Sequence, residues 1–379
     1  MDLTPTEEQQ LLADSVARFL AKEYSFEKRR KIVASEKGFS RDIWAQFAEL
    51  GWLGIGTPES AGGLGGGGVE LSIVMEGIGR HIVVEPYFPT VVLGGSLLRR
   101  GGAKMAAHLP ALAAGRLQLA LAHMEAKARF NLAHVETRAA RDGGTFTLTG
   151  HKAVALNAQH ADDIVVSARS GGAIADEKGI TLFLVPKDTP GLGLTPYRTV
   201  DGLRAADVTL DKVVVEAGSI LGDLDGGFAQ LAHTRDEALV ALAAEAVGAM
   251  HALIDATRDY LKTRKQFGVP IGSFQVLQHR LVDMFMAQEL ARSTVAVAAR
   301  ALEDGDAHYR AQAAAAAKVQ AGRGGRLVGQ EAVQLHGGMG MTDELAVGHY
   351  FKRLAAIDVQ FGNADYHERH YAELSSGAA

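Results

Sequence analysis

Apolar residues recur every three or four positions along the first hundred residues, a spacing that is typical of amphipathic helices. The pattern predicts a first helix over 4–22, with Thr4 and Glu7 placed as a capping box. Ser40 is placed to cap a second helix. An N-terminal helical domain is therefore predicted over 1–116, with further helical pattern at 69–80 and 91–100.

The pattern changes to short runs of β-forming residues bounded by Gly, Asp and Pro at 117–122, 145–148, 163–168 and 180–185. These runs predict a middle domain over 117–222, an antiparallel β-barrel or sandwich. Long helical segments return in a C-terminal bundle over 223–379. They are predicted at 228–264, 273–303 and 307–333. The fold class expected is mainly α with a middle β-domain.

Charge and cysteine content narrow the chemistry. The chain has 379 residues, with 39 Lys and Arg against 44 Asp and Glu and a formal net charge of −5, which argues against nucleic acid or an anionic membrane as the main partner. The sequence contains no cysteine, so disulfides, thiolate metal ligands and cysteine nucleophiles are excluded.

The N-terminus lacks the pattern of a secretory signal, and the apolar stretch 238–250 is shorter than a membrane span. We therefore expect a cytoplasmic protein that is not embedded in a membrane.

Two motifs invite functional interpretations that their context does not support. Gly63–Gly68 spells G-x-G-x-x-G, but it follows helical pattern and a Pro-Glu turn where a dinucleotide site needs a buried strand, so a flexible surface turn is expected. His367 and His370 are three residues apart, but the sequence suggests no third ligand. No metal site is predicted.

The most informative block lies between two long helical segments. Arg264, Phe267 and Gln275 converge on one bend, where a guanidinium can clamp a phosphate, a ring can stack on a purine and an amide can bind the purine edge. The alternative is that Arg264 caps a helix C-terminus and that Phe267 belongs to the core.

A second block ends the next helical segment. Gln334 precedes Gly337 and Gly338, whose backbone amides can approach a pyrophosphate closely. The alternative is an ordinary glycine C-cap followed by a loop.

These two blocks, in this order and at this separation, resemble the flavin-binding signatures of the acyl-CoA dehydrogenase family. The resemblance covers nearly the whole chain. Within the family, the chain is most similar to the small subunits of pimeloyl-CoA dehydrogenases, through Asp236–Ala238, Ala244–Met250 and Val347–Arg353. Other family-like segments are Leu50–Gly54, Val74–Arg80, Val208–Val214, Leu221–Gly222 and Gly226–Phe228.

The resemblance implies an FAD-dependent dehydrogenase of acyl-CoA thioesters that forms a homotetramer or an α2β2 heterotetramer, with electron-transfer flavoprotein as electron acceptor. It implies a helical N-terminal domain, a β-domain and a four-helix bundle. Residues of both blocks would hold the adenosine diphosphate part of FAD whose ring belongs to the neighbouring subunit. By motif position these are Arg264, Phe267, Gln275, Gln334, Gly337 and Gly338, with Asn363 and Asp365 on the adenine side as altered residue types.

The chain departs from the family where the flavin ring would lie. The usual strand Thr-Glu-Pro, two small residues, Gly-Ser-Asp is Met124–Asn131 here, and only Glu125 matches. The usual Trp-Ile-Thr is replaced by Val154, Ala155 and Leu156, so the stacking indole and a hydroxyl are missing. The ring site of this subunit is therefore expected to be degraded.

The chemistry requires a carboxylate base that removes the α-proton. Phe361 fills the usual base position, and Ala238 fills the alternative one. Glu237 is the immediate neighbour of Ala238 and is the candidate base, with Asp358 and Asp365 as weaker candidates. The alternative for Glu237 is a structural carboxylate near a helix N-terminus, paired with Arg235 or Lys212.

Two main functions remain open, and a flavin monooxygenase or another activity on the same fold is a third alternative, because fold does not fix function. The chain is either the small, half-site subunit of a heterotetramer whose catalytic partner supplies the base and the ring site, or a self-sufficient homo-oligomer that uses Glu237 as base.

Overall fold

The computed structural model describes residues 4–377. Regular structure within that range is mainly helical and includes one large sheet. The helices are α1 Glu7–Glu23, α2 Phe26–Ala34, α3 Arg41–Glu49, α4 Gly68–His81, α5 Gly95–Arg100, α6 Ala103–Ala106, α7 Leu109–Ala113, α8 Gly227–Thr263, α9 Gln275–Ala301, α10 Ala307–His336, α11 Ala346–Val359 and α12 Ala364–Ser376. The strands are β1 Leu119–Ala122, β2 Arg138–Asp142, β3 Thr145–Leu156, β4 Asp163–Arg169, β5 Ile180–Pro186, β6 Leu192–Arg198, β7 Arg204–Glu216, β8 Ile220–Leu221, β9 Lys265–Gln266 and β10 Val269–Pro270.

The chain divides into two compact units. One unit, here the sheet unit, contains residues 32–66 and 84–238. The other, here the helical unit, contains the chain up to Lys31, residues 67–83 and the chain from Leu239 onward. Division of the sequence into three domains at 1–116, 117–222 and 223–379 stays a prediction.

The large sheet is mixed: most neighbouring strands pair antiparallel, as predicted, whereas β1 and β2 each pair with β4 in parallel. Its strands follow the order β6-β7-β3-β2-β4-β5-β8, and β1 pairs with β4 in parallel. β4 and β5 are mostly apolar because they are buried almost throughout, whereas β7 largely alternates buried and exposed positions. The core of the sheet is built from small and branched side chains around Phe146 and Phe183, whose ring centroids are 5.3 Å apart.

Several helix ends differ from the sequence prediction. The first capping box is formed by Thr6 and Gln9, not by Thr4 and Glu7, because the Thr6 hydroxyl accepts from the Gln9 amide at 3.2 Å and the Gln9 side chain accepts from the Thr6 amide at 3.0 Å. Ser40 caps α3 as predicted. Phe88–Gly94 forms a π-helix that leads directly into α5, which the periodicity did not indicate.

The glycine-rich run is a packed turn. A Cβ atom added at Gly63 would lie 2.1 Å from the carbonyl oxygen of Thr57, and one at Gly68 would lie 2.3 Å from that of Ala299. Within the described residues, a 3₁₀ turn at Glu59–Ala61 precedes the run and α4 follows it. The dinucleotide interpretation therefore lacks its buried strand, and the glycines serve close packing instead.

Helix α8 is 37 residues long and passes the length and composition test for a membrane span. However, 89% of its most apolar 18-residue window is buried inside the protein, as expected for a core helix. From the sequence, the apolar stretch is placed at 238–250 only, because Glu245 interrupts the apolar residues there. Glu245 is buried and forms a bidentate ion pair with Arg353 of α11, with both N–O distances at 2.6 Å.

Two glycines let α8 cross α4 at backbone distance. A Cβ atom at Gly79 would lie 1.8 Å from the carbonyl oxygen of Glu245, and one at Gly248 would lie 1.9 Å from that of Glu76. Neither contact can be relieved by moving a flexible side chain, since both partners are helix backbone. The crossing is therefore specified by the absence of two side chains.

We expect Gly79→Ala to lower the free energy of unfolding by about 1–3 kcal/mol or more, because the helices must separate to admit the methyl group. Denaturant unfolding followed by far-UV circular dichroism measures the loss. Gly305→Ala is the matched control in the same unit, since a Cβ atom there meets nothing within 4 Å. Equal stability of the two variants would contradict the close-crossing argument.

Candidate cofactor and active site

The Arg264 block folds as a short hairpin at the end of α8. The Arg264 amide donates to the Tyr260 carbonyl at 2.8 Å, and the Arg264 carbonyl accepts from the Ile271 amide at 2.8 Å. Phe267 and Gly268 both have positive φ, +55° and +83°, as a two-residue type I′ turn requires. The turn projects Phe267 into solvent with 90% of its surface exposed. The alternative that Phe267 belongs to the core is wrong.

Arg264 and Gln275 are also exposed. Within residues 4–377 the Arg264 guanidinium makes no hydrogen bond or ion pair, so it does not cap the carbonyl end of α8. Gln275 is the first residue of α9. A cation, an aromatic ring and an amide are thus presented together on one hairpin and the helix that follows it.

The second block lies close to this hairpin because the ends of α8 and α10 are joined. The rings of Tyr260 and His336 stack with centroids 4.4 Å apart and planes inclined by 27°. Burial lowers the pKa of His336, which favours the neutral ring in this stack. Arg280 of α9 adds an ion pair to Glu331 of α10 at 3.2 Å. The helix ends that carry both blocks are therefore fixed side by side.

Gly337 and Gly338 leave room beside the backbone. Gly337 has φ +62° and caps α10, as the plain C-cap interpretation requires. A Cβ atom added at either glycine would meet nothing within 4 Å, and Gln334 one turn earlier is exposed. The same turn can therefore both cap α10 and leave space for a ligand beside its backbone amides.

The two adenine-side positions have different environments. The Asn363 side chain accepts from the Tyr366 amide at 3.1 Å and so caps α12. Asp365 is exposed in the first turn of that helix. Asn363 thus has a structural role in addition to any ligand contact, whereas the Asp365 carboxylate is exposed to solvent.

The adenosine side fits a dinucleotide. An unpaired guanidinium, an exposed ring and open glycine amides are the groups that bind phosphate and purine. Arg264, Phe267 and Gln275 would hold the diphosphate and adenine of FAD, with Gly337 and Gly338 along the diphosphate. The assignment of these site residues stays a prediction.

The ring-side segment in the sheet unit does not fit in the same way. Glu125 is fully engaged: it accepts from the backbone amides of Glu136 and Thr137 at 2.6 and 3.0 Å and from the Lys152 ammonium at 2.6 Å. Burial lowers the pKa of Lys152 to about 8. The one residue that matches the family strand is therefore a buried structural carboxylate.

The second ring-side segment lies at a bulge. The register of β3 against β7 shifts between Lys152 and Ala155, and Val154 has φ +52°, which is rare for a β-branched residue. The side chains of Met124, Val154 and Leu156 carry no hydrogen-bond donor. Neither stacking by an indole nor donation by a hydroxyl is available from these positions.

The usual base position also lacks a carboxylate. Phe361 stands there with φ +56°. The neighbouring loop is fixed by Lys318, whose buried ammonium donates to the carbonyls of Asp358 and Gly362 at 2.8 and 2.5 Å. Burial lowers the pKa of Lys318 to about 7. Sequence reasoning missed this lysine, because a single Lys on an Ala-rich helix gives no local signal.

Asp358 is likewise engaged as a structural group. Its carboxylate accepts from Arg326 at 3.0 Å and from the Ala364 amide at 3.2 Å. Both carboxylate oxygens of Asp358 are therefore occupied by structural donors. Asp358 therefore ties α10 to the start of α12.

Glu237 is buried in a cationic cluster within the sheet unit. Its carboxylate accepts from Arg100 at 2.7 Å and from Arg99 at 3.1 Å, and the His233 ring lies 3.3 Å away. Burial alone would raise the pKa of Glu237, but His233, Arg99 and Arg100 outweigh it and lower the pKa to about 2. Such a carboxylate holds its proton too weakly to be an effective base near neutral pH.

This cluster corrects the structural alternative for Glu237. Its partners are not Arg235, which pairs with Asp236 at 2.9 Å, or Lys212. Glu237 also lies ten residues after the start of α8 at Gly227, beyond the reach of the helix dipole. The His233 contact was detectable from its i,i+4 spacing, whereas Arg99 and Arg100 are brought in only by the fold.

Comparison with known proteins defines the class. The chain matches the N-terminal domain of acyl-CoA dehydrogenase over residues 6–116, the middle domain over 120–213 and the C-terminal domain over 225–374. It therefore belongs to the acyl-CoA dehydrogenase family, whose members are FAD-dependent oxidoreductases. The fold and the cofactor class expected from the sequence are confirmed.

Individual relatives cover nearly the entire chain. It is 33% identical over 372 residues to a probable acyl-CoA dehydrogenase, YngJ, of Bacillus subtilis, covering 96% of this chain and 97% of the relative. Among solved structures it is similar to a variant of the steroid acyl-CoA dehydrogenase Tcur3481-Tcur3483, with 31% identity, a TM-score of 0.88 and 98% of each chain covered. It is also similar to the ChsE4-ChsE5 complex of Mycobacterium tuberculosis, with 27% identity, a TM-score of 0.88 and 99% of each chain covered.

We expect Glu237→Gln to lower the free energy of unfolding by about 3 kcal/mol at pH 7, since a pKa lowered from 4.5 to about 2 corresponds to that energy. Because the folded pKa is depressed, the stabilisation is complete above the unfolded pKa and is lost as the pH falls from about 4.5 to about 2. Denaturant unfolding of wild type and variant between pH 3 and pH 7 measures this. The exposed Glu59→Gln is the control, and an equal effect of both substitutions would contradict the ion-pair assignment.

Proposed function

We propose that this chain is the half-site subunit of a heteromeric acyl-CoA dehydrogenase. In this role it supplies the adenosine-side clamp for an FAD whose ring is held by a catalytic paralogue. The proposal rests on one contrast above all: the groups of the adenosine side are present and accessible, whereas the groups of the ring side and the base are replaced or engaged elsewhere.

The replaced base supports this role. Acyl-CoA dehydrogenation needs a carboxylate to remove the α-proton, and bound FAD would serve as the acceptor of the hydride from Cβ. Phe361 has no proton-accepting group, Asp358 is held by Arg326 and a backbone amide, and Glu237 is held by two arginines. A partner that provides the base would account for all three.

Two further observations support a two-component assembly. The steroid acyl-CoA dehydrogenase Tcur3481-Tcur3483 and the ChsE4-ChsE5 complex are each named for two proteins. Ala244–Met250 and Val347–Arg353, which resemble the small subunits of pimeloyl-CoA dehydrogenases, are joined here by the buried Glu245–Arg353 pair. These two segments thus have a shared structural purpose in this chain.

The proposed substrate is an acyl-CoA thioester, and the subfamily resemblance favours a dicarboxylic acyl group of medium length. Electron-transfer flavoprotein is the proposed acceptor, and the cytoplasm the proposed location. An α2β2 heterotetramer is proposed over a homotetramer, because a homotetramer of this chain would have to perform the reaction without a free carboxylate at either base position.

The second candidate function is a self-sufficient homo-oligomer that uses Glu237 as its base. The observation in its favour is the position of Glu237 next to Ala238 in the family's alternative base position. It requires the carboxylate to leave Arg99 and Arg100 when substrate binds.

We expect the purified chain alone to bind much less than one FAD per subunit, because Met124, Val154 and Leu156 offer the ring no donor or indole. Absorbance near 450 nm against protein concentration measures the FAD content. Co-expression with the paralogue should restore FAD to about one per pair of chains, since each partner contributes one half of the site. One tightly bound FAD per subunit in the isolated chain would overturn the half-site proposal.

We expect Arg264→Gln to weaken FAD binding by the complex by about 1.5–3 kcal/mol, roughly 10- to 150-fold, as for loss of a charge-assisted phosphate contact. Equilibrium dialysis of the complex against FAD measures the affinity. Arg30→Gln removes another exposed arginine of the helical unit and should leave the affinity unchanged. Wild-type affinity in the Arg264→Gln complex would mean that Arg264 does not contact the cofactor.

A further inference from the structure

A cavity of about 440 Å³ lies within the sheet unit, and none of the residues assigned above to the cofactor or the base lines it. It opens between the start of α3, the segment that leads into β1, the turn before β4 and the end of β5. Its volume is in the range of small-molecule sites. Its cationic and aromatic lining residues are Lys37, Phe39, Arg41, Trp44, Arg116 and Lys187.

The walls of the cavity are fixed by internal hydrogen bonds. The Trp44 indole donates to the Gly115 carbonyl at 3.1 Å, which ties α3 to the segment before β1. The Asp162 carboxylate accepts from the Gln118 amide at 2.8 Å, which ties the turn before β4 to the same segment. The cavity is therefore formed by ordered elements that are cross-linked to one another.

The charge of the cavity is opposite to that of the protein. Lys37, Arg41, Arg116 and Lys187 line it, and within residues 4–377 none of the four forms an ion pair with a carboxylate. Asp162 is the single acidic residue of the lining, and a backbone amide already shares its charge. Four cations against one carboxylate, in a chain of net charge −5, concentrate positive potential here.

The inner part of the cavity is aromatic and has unused polar atoms. Phe39 and Trp44 are buried, and the Phe39 ring meets the His160 ring edge to face at 5.4 Å. Gln159 Oε1 and His160 Nε2 are shielded from solvent and have no hydrogen-bond partner among the described residues. Burial, with the nearby cations, lowers the pKa of His160, so its ring is neutral. A neutral imidazole nitrogen and an amide oxygen can pair with uncharged polar groups of a ligand.

We propose that this cavity binds a phosphorylated small molecule, with its phosphates against Arg41 and Arg116 and its uncharged ring or sugar against Phe39, Trp44 and Gln159. A guanidinium group can donate two parallel hydrogen bonds to two oxygens of a phosphate, and an ammonium group adds a positive point charge. Since the cavity has both a cationic rim and an aromatic, polar interior, a nucleotide fits better than a free inorganic phosphate. None of the lining residues of this cavity is among those proposed to bind FAD, which belong to the helical unit.

Isothermal titration calorimetry on the FAD-saturated protein, as the complex if a partner is required, tests the proposal with ADP and pyrophosphate as probes. Saturating FAD prevents ADP from occupying the adenosine clamp. The double variant Arg41→Gln/Arg116→Gln should weaken ADP binding about tenfold or more, since both side chains are exposed and their loss removes two phosphate contacts without disturbing the core. The control Arg138→Gln/Arg198→Gln removes the same charge from exposed positions of the same unit.

ADP binding that is lost in the pocket variant and kept in the control supports the site, and pyrophosphate binding about tenfold weaker than ADP supports a nucleotide ligand. Equal binding of ADP and pyrophosphate overturns the nucleotide assignment and leaves a free phosphate as the ligand. Equal losses in both double variants would show nonspecific charge attraction and overturn the site. Absence of saturable binding of either probe up to about 10 mM overturns it as well.

Discussion

The close crossing of α8 and α4 is the constraint on which the helical unit depends. At Gly79 and Gly248 the two backbones approach so closely that a single methyl group on either helix would overlap a carbonyl oxygen. Once α8 is fixed there, the position of its C-terminal end follows, because a continuous helix transmits orientation along its length. That end carries Tyr260 and leads into Arg264, so the hairpin at 264–271 is positioned by packing about four turns earlier in the same helix.

Buried ion pairs then hold individual segments in place in both units. Glu245 and Arg353 join α8 to α11, Glu125 and Lys152 fix the ring-side segment to β3, and Glu237 is clamped by Arg99 and Arg100. Burying these charges is favourable only because each is matched by an opposite charge at hydrogen-bond distance. The same matching removes Glu125 and Glu237 from proton transfer, since a carboxylate stabilised in its ionised form is a weak base.

The distribution of polar groups therefore separates binding from chemistry in this chain. Arg264, Phe267 and Gln275 are exposed and accessible to a ligand. The carboxylates near the base positions are instead engaged in structural ion pairs and hydrogen bonds. Family membership alone would not reveal this division, because function depends on the site that a fold carries. It is the basis on which a half-site role is proposed over a self-sufficient enzyme.

The sequence by itself determined the fold class, the family, the long helices and the positions of the two motif blocks at 264–275 and 334–338, because periodicity, glycine turns and motif spacing are local or linear properties. It did not determine the parallel pairing of β1 with β4, the capping box at Thr6 and Gln9, or the partners of Glu237. Arg99 and Arg100 lie more than 130 positions before Glu237, and Lys318 lies 40 before Asp358, so no local pattern links them. Only the tertiary structure brings such charges within hydrogen-bond distance, and that proximity decides whether a carboxylate is a catalyst or a structural anchor.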